Sequence, residues 1–345
     1  MRFSALGNTG LQVPRIVFGT SCLGNLYEAL PDATKLAISR EWFAHHEPPA
    51  VIDSAGKYGA GLALEMIGRN LRELEISPEQ IIISNKLGWK RVPLTTPEPT
   101  FEPGAWANLE HDAMQCISYE GILECWEQGC ELLGPEYPPQ LLSVHDPDEY
   151  LAAAISAADR ERRFGDILAA YRALHELKVA GKARAIGIGS KDWRVIEAIE
   201  REVTLDWVML ANSLTIYRHP RELLEFVAKL VGKGIAVINS AVFHAGFLVG
   251  GKFFDYRVVT LESDPELFAW REKFSALCKK HNIKPAIACI QFGLTPPGVV
   301  AISLNTSDPA RVADNVAAVE ATVPQEFWYD AKREGLINVD YPYAG

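Results

Sequence analysis

The chain has 345 residues, of which 48% are hydrophobic, and its 44 acidic residues outnumber 34 basic ones to give a formal net charge of −10. The hydrophobic content suffices for a large core and excludes a disordered chain, while the acidic balance disfavours nucleic acid or an anionic membrane as a partner. No apolar run has the length of a membrane helix, and the amino terminus lacks the apolar core of a signal peptide. We therefore expect a cytoplasmic location.

The sequence gives no sign of a metal site or of disulfide bonds. None of the six cysteines forms a C-x-x-C pair, which favours free thiols in a reducing compartment. The His45-His46 pair has no third ligand at a familiar spacing, so it is interpreted as a solvated helix end.

Repeated strands and helices organise the chain. Residues 2–13 alternate around a Gly-Asn-Thr-Gly turn and predict a small hairpin. Apolar strands and amphipathic helices then follow in turn, the clearest helical pattern running from Phe164 to Leu174 and closed by Gly181. The predicted strands are Ile16–Gly19, Ala50–Asp53, Ile81–Lys86, Gln140–His145, Ala183–Gly189, Trp207–Ala211, Ile235–Asn239 and Val299–Ser303.

This alternation predicts an α/β fold, a (β/α)8 TIM barrel that forms one domain over residues 1–345. The open dinucleotide-binding fold is the alternative, but the nearest glycine motif, at 187–192, lacks its third glycine and follows the fifth strand. Three segments interrupt the pattern, at 87–117, at 242–261 and from Val323 onwards. The first two follow strands three and seven, so they are predicted to be long loops at the carboxyl-terminal rim, where barrel enzymes bind their substrates.

Four reactive side chains stand at or just after consecutive strand ends. Strand two ends on Asp53 with Tyr58 in its loop, strand three ends on Lys86, and strand four ends on His145. The barrel brings these ends to one mouth. A lone lysine or histidine at a strand end is usually a solvated charge or a turn residue, but four such residues on three consecutive strands predict a site.

The chemistry of this group is proton transfer at a carbonyl or alcohol oxygen. A phenol has a reference pKa of about 10, and an adjacent ammonium is expected to lower it. A carboxylate keeps the lysine charged, and an imidazole can hydrogen-bond the reacting oxygen. The pattern favours carbonyl–alcohol interconversion with a separate hydride carrier.

The motifs F-G-T, V-I-D-S-A-G-K-Y-G, I-I-I-S-N-K, L-L-S-V-H-D, A-I-G-I-G-S and A-R-V-A-D-N resemble those of the aldo-keto reductases over nearly the whole chain. The resemblance implies that Tyr58 is the proton donor or acceptor. It also implies that Lys86 tunes Tyr58, that Asp53 pairs with Lys86, and that His145 orients the substrate oxygen.

The resemblance further implies an extended NAD(P) cofactor across the barrel mouth. Gly19 and Thr20 are expected beneath the nicotinamide, and Ser190 and Asn212 beside its carboxamide. Asp53 is expected to contact the cofactor as well. Ser240 stands where many relatives stack a tyrosine. The remaining cofactor positions are Phe243 and Gly246 at the start of the loop over the pyrophosphate, and Asn305, Thr306, Arg311 and Asn315 at the adenosine end.

The adenosine end favours NAD over NADP. Asn305 and Thr306 replace the lysine and serine with which many relatives hold a 2′-phosphate. Loss of that cation weakens phosphate binding by roughly 1.5–3 kcal/mol. Arg311 remains available to phosphate or adenine, so NADP stays the alternative.

A narrower likeness, carried by H-D-P-D-E-Y, F-D-Y-R and Q-F-G-L, is to the aldose dehydrogenase branch with its L-galactose and pyridoxal relatives. It implies oxidation of an aldose such as L-fucose, L-galactose or D-arabinose at C1, with Tyr58, His145 and Trp89 contacting the substrate. One alternative is an NADPH-dependent aldehyde or ketone reductase. A more remote one is a cofactor-binding regulatory subunit like the potassium-channel β proteins.

Overall fold

Eight parallel strands form a closed barrel in the computed structural model, which describes residues 2–255 and 257–344. Continuous apolar runs form these strands because both of their faces are buried, one inside the barrel and one beneath helices. The strands of the chain are β1 (Phe3–Ala5), β2 (Gln12–Pro14), β3 (Ile16–Gly19), β4 (Ala50–Ala55), β5 (Ile81–Leu87), β6 (Trp89–Pro93), β7 (His111–Gln115), β8 (Leu141–His145), β9 (Ala185–Ser190), β10 (Trp207–Ala211), β11 (Ala236–Ser240), β12 (Phe253–Phe254), β13 (Arg257–Val258) and β14 (Val299–Leu304). The barrel order is β3-β4-β5-β8-β9-β10-β11-β14, closed by β14 on β3.

The predicted (β/α)8 barrel is therefore confirmed, with each of the eight predicted strands present. Their bounds differ by at most two residues; for example, the strand predicted at Ala183–Gly189 spans Ala185–Ser190. The difference arises because hydrogen-bonded register with the neighbouring strand, not hydropathy, decides where a strand begins.

Helices cover the outside of the barrel. They are α1 (Asp32–Ala44), α2 (Leu62–Glu73), α3 (Tyr119–Leu133), α4 (Pro147–Ala152), α5 (Ala157–Val179), α6 (Trp193–Glu200), α7 (Arg221–Gly232), α8 (Pro265–Lys280), α9 (Pro285–Gly293), α10 (Ala310–Glu320) and α11 (Gln325–Arg333). Short 3-10 turns lie at Ser21–Gly24, Pro78–Gln80 and Phe247–Val249. Among the described residues, no helix has the length and apolar character needed to cross a membrane.

The predicted amino-terminal hairpin, β1 with β2, closes one end of the barrel. Leu6, Leu11 and Val13 are buried with the inward side chains of the barrel strands, including Trp207 and Met209. This plug leaves the opposite, carboxyl-terminal end of the barrel as the open one.

Long segments surround that open end. The 87–117 segment folds back on itself as the antiparallel pair β6–β7, and the 242–261 segment carries β12 and β13. The segment from Val323 instead forms α11 and packs on the outside, where Phe327, Trp328 and Tyr341 are buried in the core around α8 and α9.

Candidate active site

Register between neighbouring strands aligns the side chains at the open end of the barrel. Asp53 of β4 is paired with Gly19 of β3 and Ser84 of β5, and Lys86 is paired with Ala55 and with Ser143 of β8. His145 closes the row as the last residue of β8. The carboxyl ends of strands β3, β4, β5 and β8 thus deliver their polar residues to one place.

Asp53 and Lys86 form a buried ion pair beneath Tyr58. Lys86 Nζ donates to Asp53 Oδ2 at 2.5 Å and to the Ser54 carbonyl at 3.2 Å, while Ser84 Oγ donates to Asp53 Oδ1 at 3.0 Å. Both charged side chains are only 2% exposed. Gly189 leaves room for the Lys86 side chain, because a Cβ there would lie 3.1 Å from it. The protein therefore holds the pair at the cavity wall through its own hydrogen bonds.

Tyr58 lies between this ion pair and His145. Its ring centroid is 4.7 Å from Lys86 Nζ and 5.6 Å from the His145 ring, which it meets edge to face. The structure therefore brings Asp53, Tyr58, Lys86 and His145 together on the wall of one cavity.

The adjacent ammonium was expected to lower the pKa of Tyr58, but the net shift in this structure is upward. Burial raises the pKa of Tyr58 well above its usual value, and the carboxylates of Asp53 and Asp146 add to that effect. The Lys86 ammonium has a carboxylate of its own and is compensated by it. Burial also lowers the pKa of His145 well below 6.5, against the opposing charge of Asp146 and with help from Lys86. At neutral pH the site therefore holds a neutral phenol and a neutral imidazole.

The cavity has a volume of about 1330 Å³, more than the 300–1,000 Å³ of an ordinary small-molecule pocket. It runs as a trough from Tyr58 across the barrel mouth to the first turn of α10. The predicted cofactor residues that line it are Gly19, Thr20, Asp53, Ser190, Asn212, Ser240, Phe243, Gly246, Asn305, Thr306, Arg311 and Asn315. This volume, and a lining that mixes polar and apolar groups, fit an extended dinucleotide together with a substrate.

Individual polar atoms also fit such a cofactor. Asn212 Oδ1 is buried without a hydrogen-bond partner, which suits an amide donor of a nicotinamide. Asn212 and Ala241, both in the trough wall, have φ values of 57° and 54°, and such backbone strain in non-glycine residues is concentrated at ligand sites. Ser240 Oγ, in contrast, donates to the Leu210 carbonyl at 3.1 Å and offers no aromatic face for stacking.

Three segments meet above the trough. Tyr27 stacks on Phe253 with ring centroids 4.8 Å apart, and its N–H donates to the Ala105 carbonyl at 2.7 Å. Residues 21–27, the 87–117 segment and the 242–261 segment thus enclose the site from above.

The predicted substrate residue Trp89 lies behind the cavity wall, outside its lining. Its ring packs 5.9 Å from Phe101 and 4.9 Å from Lys57 Nζ. Trp106, which lines the cavity 6.0 Å from Tyr58, has the position that had been expected for Trp89. Trp106 lies there because the 87–117 segment folds back between β6 and β7, which brings its middle residues and not its first ones to the site.

Sequence reasoning missed a charged group beside Tyr58. Lys57 Nζ lies 2.8 Å from Glu102, 2.8 Å from Asp146 and 3.0 Å from Glu149. Two of the four residues were adjacent to predicted ones, Lys57 before Tyr58 and Asp146 after His145. Glu102 and Glu149 reach the site only through tertiary contacts, so no local pattern marks them.

The described residues include no cluster of three or more His, Cys, Asp or Glu side chains arranged to hold a metal. The cysteines they contain are all free thiols.

Comparison with known proteins identifies the family of the chain. A model described as the aldo/keto reductase family matches residues 15–333. The chain is 29% identical to pyridoxal 4-dehydrogenase of Microbacterium luteolum, with 97% of each chain covered. It is 25% identical to D-threo-aldose 1-dehydrogenase of a Pseudomonas species, covering 96% of this chain and 97% of the relative. For L-galactose dehydrogenase of Arabidopsis thaliana the identity is 24%, over 91% of this chain and 87% of the relative.

Solved structures with the same fold include an aldo-keto reductase from Bacillus halodurans in its holo form. It superposes with a TM-score of 0.69 at 19% identity, covering 98% of this chain and 97% of the other.

Proposed function

Because the chain belongs to the aldo/keto reductase family and is an oxidoreductase, we propose that it is an NAD(P)-dependent aldose 1-dehydrogenase and that residues 1–345 form one catalytic domain. The substrate is the cyclic hemiacetal of an aldose such as L-fucose, L-galactose or D-arabinose. The observation that carries the proposal is the buried Asp53–Lys86 pair packed against Tyr58, with His145 on its other side.

The reaction converts the anomeric C–H and O–H of the hemiacetal into the C=O of a lactone. A bound nicotinamide supplies the hydride acceptor for the anomeric hydrogen. The phenolate oxygen of Tyr58 takes the hydroxyl proton, so the substrate loses one hydride and one proton in total. In the reverse direction the neutral phenol of Tyr58 returns that proton to the carbonyl oxygen.

The other three residues prepare Tyr58 and the substrate oxygen. Lys86 holds its ammonium at the Tyr58 ring, where it stabilises the phenolate as that charge forms. Asp53 keeps Lys86 charged and in place. The neutral imidazole of His145 is a hydrogen-bond donor for the reacting oxygen, and its lowered pKa makes it too weak a base to compete with the Tyr58 phenolate for the proton.

The substrate class is supported by the wall beside Tyr58 and by the relatives. The Trp106 ring offers an apolar face of the kind on which sugar C–H groups pack, and the neighbouring carboxylates accept hydrogen bonds from hydroxyl groups. Two of the relatives named above are aldose dehydrogenases by name.

We propose NAD as the preferred cofactor. Asn305 Nδ2 donates to Ser21 Oγ at 3.0 Å, where a lysine would present a cation. The two cations at this end, Arg311 and Lys284, each lie within 4 Å of a carboxylate, those of Asp308 and Asp314. The charges at this end nearly cancel, which gives little attraction for the extra negative charge of a 2′-phosphate.

One assay tests both proposals. The purified protein is incubated with a panel of aldoses and with pyridoxal, using NAD⁺ and NADP⁺ in parallel, and formation of reduced nicotinamide is followed at 340 nm. We expect turnover of at least one aldose, faster with NAD⁺. Turnover of simple aldehydes with NADPH, without oxidation of any aldose, would instead identify a carbonyl reductase. Tight cofactor binding with no turnover of either class would favour a regulatory subunit.

A further inference from the structure

A lysine surrounded by three carboxylates forms the wall of the cavity next to Tyr58. Lys57 is 2% exposed, and its ammonium has three N–H donors. Three carboxylates lie within 3.0 Å of it: Glu102 from the 87–117 segment, Asp146 after β8, and Glu149 of α4. The three carboxylates raise the pKa of Lys57, although its burial opposes this. Lys57 therefore joins the segment above the site to the barrel beneath it.

The three carboxylates line the cavity and also contact other side chains of its wall. Glu102 Oε2 accepts from Trp106 Nε1 at 2.7 Å, and Glu149 Oε1 accepts from Lys191. Asp146 Oδ2 accepts from Lys57 and lies 3.6 Å from His145 Nε2. Glu102, Asp146 and Glu149 carry three negative charges against the two positive charges of Lys57 and Lys191. Since Asp53 and Lys86 compensate each other, this end of the cavity has an excess of one negative charge.

We propose that Lys57 is a positioning residue that holds Glu102 and Asp146 as acceptors for substrate hydroxyl groups, so that the site takes neutral polyhydroxylated substrates and rejects anionic ones. The inference rests on the proposed function in one respect, namely that the substrate carries hydroxyl groups. It adds which residues recognise them and which substrates they exclude.

The physical basis is the difference in interaction of a carboxylate with a hydroxyl group and with an anion. A hydroxyl donates a charge-assisted hydrogen bond, which is among the stronger hydrogen bonds in proteins. A phosphate or carboxylate on the substrate would instead be repelled by the carboxylates of the wall, because like charges that are brought close together cost free energy.

Matched neutral and anionic substrates test this inference. The wild-type protein is assayed with L-galactose against L-galacturonate, both of which form pyranose rings, and with benzaldehyde against 4-carboxybenzaldehyde in the reducing direction. We expect kcat/KM to favour the neutral member of each pair by at least about 100-fold. In Glu102→Gln, which removes one negative charge, that ratio should fall at least about tenfold.

Glu98→Gln is the matched control. Glu98 is exposed in the same segment and lies outside the cavity lining, so the same change of charge should leave the ratio within twofold of wild type. An equal fall in both variants would show a long-range effect of net charge and would overturn the inference.

Variants of Lys57 test its positioning role. Lys57→Met should raise KM for the neutral substrate at least tenfold and change kcat less, and Lys57→Arg should restore most of the lost affinity. Cofactor affinity, measured by fluorescence titration, should stay within twofold, which shows that the protein is folded. Loss of kcat with unchanged KM, or no rescue by arginine, would contradict the role.

The two proposals fail in distinguishable ways. If aldoses are oxidised but each neutral and anionic pair reacts equally well, the charge selection is refuted and the proposed function stands. If no aldose is oxidised, the proposed function is refuted, and the aldehyde pair alone decides whether the wall rejects anions.

Discussion

At the scale of single residues, the pKa of Tyr58 depends on two nearby lysines, each of which is paired with carboxylates. Asp53 neutralises Lys86, and three carboxylates surround Lys57, so neither ammonium acts on the phenol as an isolated charge. Burial then dominates and raises the pKa of Tyr58. The site is therefore set for proton donation at neutral pH, and proton removal from an alcohol becomes easier as the pH rises.

Replacing Tyr58 by Phe tests this assignment. The variant keeps the ring against Lys86 and His145 but loses the ionisable hydroxyl, so kcat for aldose oxidation should fall by about 10²–10⁴-fold. In the wild-type protein log kcat/KM should rise with pH between 7 and 10, because the phenolate is the basic form and its pKa is raised. Residual activity of Tyr58→Phe should lack that rise. Cofactor affinity should be unchanged, and a variant with wild-type kcat would show that another group moves the proton.

Cofactor choice is also decided by single residues. Asn305→Lys places a cation at the adenosine end, beside Ser21 and near Arg311. We expect the ratio of kcat/KM with NADP⁺ to that with NAD⁺ to rise about 10–100-fold, since one charge-assisted hydrogen bond contributes roughly 1.5–3 kcal/mol. Asn305→Gln adds length without charge and is the control. An equal rise in both variants would show that charge at position 305 does not determine the preference.

The sequence was a good guide to residues at strand ends and a poor one to residues in the long segments. Asp53, Lys86 and His145 could be placed together because parallel strands bring their carboxyl ends to one rim, whatever the loops do. Trp89 could not be distinguished from Trp106, since the β6–β7 pairing decides which of them points inward.

At the scale of elements, the turn between β4 and α2 holds Tyr58 through direct backbone packing. Gly59 has a φ of 62°, and a Cβ on it would lie 2.3 Å from the Gly24 carbonyl oxygen. The turn at Ser21–Gly24 thus packs directly against the peptide next to Tyr58. The sequence predicted a loop at this position. The contact with the Ser21–Gly24 turn, which leaves no room for a Cβ on Gly59, was visible only in the structure.

Gly59→Ala is expected to damage the site more than the fold. The added methyl group must push the two turns apart, and a left-handed backbone costs a non-glycine residue roughly 1–2 kcal/mol. Displacing Tyr58 by about 1 Å should lower kcat about 10²-fold. The control is Gly165→Ala in α5, where nothing lies within 4 Å of the new Cβ; it should keep kcat and leave the urea midpoint equal or higher. Wild-type kcat in Gly59→Ala would mean that the turn tolerates the shift without moving Tyr58.

At the scale of the whole molecule, the carboxyl-terminal segment supports the barrel from outside. None of its aromatic residues lines the cavity. Asp330 of α11 forms an ion pair with Lys280 of α8 and lies 2.9 Å from the ring of His281, the residue after that helix. Tyr341 stacks on Phe292 of α9 with centroids 4.6 Å apart. An aromatic-rich segment looks the same in sequence whether it covers a ligand or a helix pair, because hydropathy reports burial and not the identity of the neighbour.

His219 connects this segment to the barrel and makes stability depend on pH. Its Nδ1 lies 3.1 Å from the Thr215 carbonyl oxygen and its Nε2 accepts from the Asn338 N–H at 3.1 Å, so the neutral ring with a proton on Nδ1 satisfies both contacts. Burial lowers the pKa of His219 below 6.5, although the Thr215 carbonyl and Asp340 oppose the shift. As the pH falls, His219 is therefore protonated at a higher pH in the unfolded chain than in the folded one. The stabilisation is fully present above about pH 6.5 and is lost as the pH falls towards the folded-state pKa, by up to about 1.4 kcal/mol per pH unit for one proton.

Urea unfolding of wild type and His219→Gln at pH 7.5 and pH 5.5 measures this contribution. Burial also lowers the pKa values of His46, His145, His175 and His244, so both proteins should lose stability on acidification. Glutamine can donate and accept but does not titrate, so the variant should lose less stability than wild type. The Asn338 amide should also exchange faster at pH 5.5 than at pH 7.5 in wild type, relative to its intrinsic rate. An identical pH dependence in the two proteins would show that protonation of His219 does not contribute to the loss of stability.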